Sequence, residues 1–221
     1  MASFFNLLLD TLAPAGLSIS INSGAIYTTS DEVELTLGVS DGVTTGYQMK
    51  IWGIDGIAAE VDASWETFAT SKSITLPSGD GLKTVYFKVR DDVGNESSSA
   101  NDTITLNTTA PAVTIASGPD YSKISKVSGF NASAFSFTCD VVFDEYKVKV
   151  VPQTNSLHSA GTAIGTAGGS SNMSGNAGDY PANTAINCTI YGADLEAASS
   201  GDGTKIIKVF VKNPAGLWNE A

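Results

Sequence analysis

Three sets of side chains in this sequence have the types that chemistry needs: one histidine, two cysteines and a scatter of carboxylates. His158 is the single histidine and lies in a stretch rich in Gly and Ser. A histidine acting as a base needs a positioned nucleophile and a group to orient it. Nothing near His158 in the sequence nominates either, so a solvated loop side chain is expected. Cys139 and Cys188 form no Cys-Xaa-Xaa-Cys pair of the kind used for metal or redox work. No Gly-Xaa-Ser-Xaa-Gly elbow, Walker loop or His-Glu-Xaa-Xaa-His motif occurs. The reading is of a chain that is not an enzyme and carries no cofactor.

The acidic residues suggest calcium as the remaining inorganic partner. Asp91, Asp92, Asn95 and Glu96 cluster, while Asp41, Asp55, Asp80 and Asp202 occupy other turns. Their spacing does not follow an EF-hand ligand pattern. Asp and Asn in such turns ordinarily accept hydrogen bonds from their own backbone. No metal site is therefore expected. Asn-Xaa-Ser/Thr sequons begin at Asn95, Asn101, Asn107, Asn131, Asn172 and Asn187, and with no secretory signal recognised none is read as glycosylated.

The elements that must position these residues are short strands. The chain is 42% apolar and only 16% charged, with 22 glycines. That mixture fits strands joined by turns, since amphipathic helices usually carry Lys and Glu on their outer faces. The nearest helical candidate is the single turn at Asp194–Ala198. Apolar residues alternate at Leu35, Leu37, Val39 and at Val85, Phe87, Val89. In the second half Phe135, Phe137, Cys139 and Ile207, Val209, Val211 do the same. A period of two is the strand signature. Turn signals at Ser40-Asp-Gly42, Ser78-Gly-Asp-Gly81 and Val93-Gly-Asn95 separate the runs.

An internal repeat divides the chain. Thr11-Leu-Ala-Pro-Ala15 recurs 97 positions later as Thr108-Thr-Ala-Pro-Ala112. Tyr47-Gln-Met-Lys-Ile51 recurs after 99 as Tyr146-Lys-Val-Lys-Val150, and Ser78-Gly-Asp-Gly-Leu-Lys83 after 122 as Ser200-Gly-Asp-Gly-Thr-Lys205. The matches keep their order, as duplication requires. The growing offset reflects a long Gly/Ser/Asn-rich loop at about 152–181. The expected architecture is all-β: an N-terminal β-arm at 1–10, one sandwich domain at 11–107 and a second at 108–221. By this alignment Cys139 replaces Val39 and Cys188 replaces Ile74, both inward positions, so two buried free thiols are expected.

The order Thr-Xaa-Ala-Pro, Tyr-Xaa-Xaa-Lys-Ile, then Gly-Asp-Gly-Leu-Lys-Thr-Val and Lys-Val-Arg-Asp-Asp-Val-Gly-Asn-Glu-Ser resembles bacterial and phage immunoglobulin-like repeats. Residues 11–107 match well and 108–221 more loosely, with Asn213-Pro-Ala-Gly-Leu-Trp-Asn219 in place of the Asp-Asp-Val-Gly-Asn loop. The resemblance implies an immunoglobulin-like β-sandwich and a place among the virion structural proteins of tailed bacteriophages. It implies little about the individual task, because such sandwiches serve many.

The two ends carry the functional expectation. Domain one closes with a seventh strand, Asn101–Asn107, for which domain two shows no counterpart before Ala221. Residues 4–10 align with that strand at the 97-residue offset, placing Leu7 and Leu9 where Ile104 and Leu106 stand. Phe4 and Leu8 are apolar where Asn101 and Thr105 are polar. A strand with one solvated face should not carry them. Phe4, Phe5, Leu7, Leu8 and Leu9 are therefore candidate partner-binding residues, either as the first strand of domain one or as a strand added to a neighbour. Trp52, on the face opposite Met49 and Ile51, and the inserted pair Leu217 and Trp218 are candidates as well, since Trp is frequent at interface hot spots. Trp65 is expected to pack under a loop.

The formal charge of −11, with 12 Lys and Arg scattered singly, excludes nucleic acid and an anionic membrane surface as partners. No apolar run reaches the length of a membrane span. The N-terminus lacks the basic region and cleavage site of a signal peptide. A non-enzymatic virion component is the expected function, such as a capsid decoration, neck, tail or baseplate protein. It would assemble in the host cytoplasm and mediate protein assembly or host-surface contact. Its expected partners are other virion proteins or itself through the arm, with a host-surface glycan as a further one. Alternatives are a bacterial adhesin or stalk fragment, or a carbohydrate-binding module built on the long loop and Trp218.

Overall fold

A computed structural model of the chain describes residues 5–40, 46–176 and 178–220. The protein is mostly β, and its backbone divides into two compact units, residues 1–108 and 109–221. Among the described residues no helix is long and apolar enough to cross a membrane.

The first unit contains β1 (Ser18–Ile21), β2 (Tyr27–Thr28), β3 (Glu32–Gly38), β4 (Gln48–Trp52), β5 (Glu66–Thr67), β6 (Ser71–Thr75), β7 (Gly81–Arg90) and β8 (Ala100–Leu106). One sheet has the order β1-β3-β6 and the other β2-β8-β7-β4-β5, antiparallel except for the short β2–β8 pair. Alternation decides which face is buried. Val33, Leu35 and Leu37 of β3 point inward while Glu32, Glu34 and Thr36 face water. They meet Met49 and Ile51 of β4 and Val85, Phe87 and Val89 of β7 in one core, closed by Ile104 and Leu106 of β8. Each such large side chain removed from water contributes about 1.5–3 kcal/mol.

The second unit contains β9 (Val113–Ser117), β10 (Ala132–Cys139), β11 (Glu145–Val151), β12 (Thr162–Ala163), β13 (Ser174–Gly175), β14 (Ile186–Tyr191), helix α1 (Gly192–Ala198) and β15 (Ile206–Lys212). One sheet has the order β14-β10-β9; in the other, β11 pairs with β15 on one side and with β12 and β13 on the opposite side. Phe135, Phe137 and Cys139 face Tyr146, Val148 and Val150 across the core, with Val209 and Val211 at its far side. Cys139 and Cys188 are buried and free. Cys188 stands opposite Phe135, and Cys139 lies four residues further along β10. At about 3.3 Å per residue that separation is far beyond disulfide reach.

Two expectations need correction here. The 152–181 stretch is not loop throughout, because Thr162–Ala163 and Ser174–Gly175 add short strands to β11. Residues 5–17 form no strand, so the arm is not the first strand of the first unit. Among the described residues, Asn95 Nδ2 donates to the Asp10 carbonyl at 3.4 Å, and the Ser40 N–H donates to the carbonyl of Ala15, just beyond the arm, at 3.2 Å. Phe4, Asp41 and Gly42 lie outside the described residues.

Candidate functional site

Among the described residues, 5–9 are the most exposed apolar segment. Phe5 is 85% accessible, Leu7 86%, Leu8 90% and Leu9 82%. A contiguous solvated run of this kind marks an interaction surface or an unmet packing demand. The β-period puts Phe5, Leu7 and Leu9 on one side of an extended backbone and Leu8 on the other.

Trp52 is corrected by the structure. It does lie on the face opposite Ile51, but it is only 8% exposed. Its ring stacks on Tyr86 of the neighbouring strand β7, with centroids 5.4 Å apart and planes 6° from parallel. A 3-10 turn at Glu60–Asp62 packs over β4 and is tied to β7 by the Lys88–Glu60 ion pair at 2.9 Å. At 8% exposure Trp52 offers a partner little surface. Trp65, expected under a loop, is half-buried beneath cations instead: Arg90 lies 4.5 Å and Lys50 5.0 Å from its ring centroid.

Leu217 and Trp218 sit in the turn after β15, both half-buried. Asn213, buried at the turn's start, accepts the Leu217 N–H through Oδ1 at 2.9 Å. Trp218 returns along β15 and bridges to Lys212. His158 stacks on its ring at 4.6 Å, and Lys147 lies 4.9 Å from its centroid. Glu145 holds Lys147 at 2.7 Å and Lys212 at 2.6 Å, and the two ammonium groups, Lys147 first, hold its carboxyl below the ordinary range.

The solvated-loop expectation for His158 is therefore wrong. The Glu220 carboxylate accepts both its backbone N–H, at 3.0 Å, and its ring Nδ1. These bonds lower the Glu220 pKa, the ring contact first and the backbone contact second. Below the loop, buried Lys149 donates to the His158 carbonyl at 2.8 Å, and Lys208 donates to the Ser156 carbonyl at 2.8 Å. Burial pushes the Lys149 pKa down. A His–Glu pair could orient a base, but here its bonds pin a loop to the sheet. The partners lie 62 residues apart in sequence, so local spacing held no signal for the pairing.

Two of the carboxylates considered for calcium, Asp91 and Glu96, are engaged in structure. Asp91 Oδ1 accepts the N–H groups of Val93 at 3.0 Å and Asn95 at 2.8 Å, and its Oδ2 accepts from Asn95 Nδ2 at 2.8 Å. Burial raises the Asp91 pKa, but these hydrogen bonds outweigh it and the net shift is downward. Glu96 is paired with Lys88 at 2.8 Å. Among the described residues no group of three or more His, Cys, Asp or Glu could hold a metal ion. Burial raises the pKa of both thiols, that of Cys188 to about 12, which makes them poor nucleophiles.

One recess was not foreseen. In the second unit a groove of about 610 Å³ runs beside the outer edge of β15, floored by Phe135, Ile190 and Leu195, with Ile124 and Ile207 along its sides. It takes residues from four separate elements and loops, so no contiguous motif announces it.

No protein-family model and no curated protein matches the sequence. Among solved structures, the fibronectin(III)-like modules of Clostridium thermocellum CbhA are similar at 12% identity, over 91% of this chain and 88% of theirs, with a TM-score of 0.41. The D00–D0 domain of intimin is similar at 14% identity, over 91% and 96%, with a TM-score of 0.37. A tetra-tandem repeat from the extending region of a large adhesion protein is similar at 16% identity, over 93% and 47%, with a TM-score of 0.28. All are distant, so function has to be read from this chain's own residues.

Proposed function

We propose that this chain is a non-enzymatic assembly protein: two immunoglobulin-like domains in tandem behind an N-terminal arm, acting as a structural component of a tailed-phage virion. The observation that carries the reading is the arm. Four large apolar side chains, Phe5 and Leu7–Leu9, are exposed within five consecutive residues, each more than 80% accessible. Such a segment gains its hydrophobic stabilisation only when something covers it.

The polar groups support the same reading. His158 is held by Trp218 and Glu220, the thiols are buried, and Asp91 accepts backbone N–H groups. The virion placement rests on the resemblance to phage immunoglobulin-like repeats, and the partners it brings are other virion proteins, met during assembly in the host cytoplasm. Trp218 does not favour the carbohydrate-module alternative, because His158 already stacks on its ring.

An antibody against the chain tests the placement. Particles purified after lysis of the host that carries the gene should be labelled at a fixed position and should contain the chain by mass spectrometry. Particles that lack it sink the virion reading.

A further inference from the structure

We infer that residues 5–9 of a second copy of this chain pair as an antiparallel strand along the outer edge of β15, with Phe5, Leu7 and Leu9 filling the groove beside it. The inference rests on reading the chain as an assembly component, and it names the partner and the seat.

The template is the first unit. There β7 pairs with β8 in the register Gly81↔Leu106, Lys83↔Ile104 and Val85↔Asp102, and Ile104 and Leu106 are 1% and 2% exposed. The hairpin that leads into β15 repeats the one that leads into β7. Gly79 and Gly81 have φ of +82° and +125°, and Gly201 and Gly203 have +83° and +126°. Lys83 Nζ donates to the Ser78 carbonyl at 3.1 Å, and Lys205 Nζ donates to the Ser200 carbonyl at 3.1 Å. At the repeat's offset Val85 matches Ile207 and Phe87 matches Val209, although β7 begins at Gly81 and β15 only at Ile206, so the positions of Gly203–Lys205 precede the strand.

The outer edge of β15 is begun but not continued among the described residues. Asn219 pairs with its far end: its N–H donates to the Val211 carbonyl at 3.0 Å, Oδ1 accepts the Val211 N–H at 2.6 Å, and Nδ2 donates to the Val209 carbonyl at 3.1 Å. Ser97 does the same for Val89 in the first unit, after which β8 takes over. By the two-residue period, the N–H and C=O groups of Ile207 point to that same edge, and Lys205 immediately precedes the strand. The groove opens there, and Ile207 at its rim is only partly buried.

The arm carries the matching pattern. At the repeat's offset Phe5 falls opposite Ile207, Leu7 opposite Lys205 and Leu9 opposite Gly203. Leu7 and Leu9 then enter where Ile104 and Leu106 enter in the first unit. The latch that follows is also duplicated. Thr108 donates through its N–H and Oγ1 to Asp80 Oδ1, both at 2.8 Å, and Thr11 and Asp202 hold the equivalent positions. Backbone pairing would supply affinity and the alternate side chains register. A contact of this kind is heterologous, so it propagates into rings or filaments.

Two chains test the register directly. One carries Leu8→Cys and the other Thr204→Cys, an opposed pair on the outer face whose Cα spacing of about 4.5–5.5 Å suits a disulfide. Mixed and oxidised, they should give a two-chain species, whereas Leu8→Cys with Lys205→Cys, one residue out of register, should not. Native Cys139 and Cys188 are buried and stay out of the reaction. Full-length chain should exceed monomer mass in light scattering as concentration rises, and deletion of residues 2–9 should return it to monomer with its β-sheet circular dichroism kept. No mixed disulfide, equal yield in both registers, a cross-link confined to one chain, or a concentration-independent monomer overturns the inference. None of these results touches particle labelling, so strand exchange and virion placement can fail separately.

Discussion

His158 lies flat on Trp218, ring centroids 4.6 Å apart and planes 9° from parallel, and this stack joins the 154–158 loop to the turn after β15. Trp218→Ala removes the platform while leaving the Lys149 and Lys208 bonds beneath. Stability should fall by about 1–3 kcal/mol, the range for a truncated packed side chain. Amide exchange should quicken selectively over residues 154–158. Unchanged exchange there would show that the lysines alone hold the loop.

Asp194 anchors the other end of the long connection. Its carboxylate accepts the Gly168 N–H at 2.6 Å and the Ser170 N–H at 2.9 Å from inside the fold. Asp194→Asn removes the charge and one acceptor, so about 1–3 kcal/mol should be lost near neutral pH.

The same residue predicts a pH dependence. Burial pushes the Asp194 pKa up, but the Ser170 and Gly168 bonds outweigh it and leave it below the ordinary 3.8. A depressed carboxyl contributes stability that is complete above 3.8 and is lost as pH falls through the lower folded value. The gap between wild type and Asp194→Asn in urea unfolding should therefore narrow as pH falls below 3.8. A gap that persists unchanged in acid would contradict this assignment.

The thiols should be silent in the native state. A thiol reagent should react slowly with the folded chain and with two groups after unfolding, and reductant should leave the thermal transition unmoved. Rapid labelling of Cys139 or Cys188 in the folded state would refute their burial at 1% exposure each.

Asn219 holds the end of β15 with three hydrogen bonds. Asn219→Ala should cost about 1–3 kcal/mol, because the Val211 N–H loses its acceptor. Exchange at the Val211 amide is the specific readout; protection equal to wild type would mean another group replaces the carboxamide.

Strand positions and the buried faces were legible in the sequence. Leu35 and Leu37, Val85, Phe87 and Val89, and Phe137 and Cys139 alternate with polar residues, and a pleated strand turns alternation directly into an inside and an outside. The exposed character of Leu8 could be suspected for the same reason: its counterpart in β8, Thr105, is polar and marks the outer face. What alternation could not report is what covers an outer face. Trp52 has the sequence position of a surface aromatic, yet it stacks on Tyr86 and is only 8% exposed. His158, Trp218 and Glu220 meet only because a long connection folds back on the β11–β15 sheet, and the groove at Ile207 exists only where strands from both sheets of the second unit leave an edge unfilled. Period and propensity act over a few residues, so they set each strand's two faces. Contacts between residues far apart in the chain depend on how loops close over those faces, and that was decided by tertiary packing.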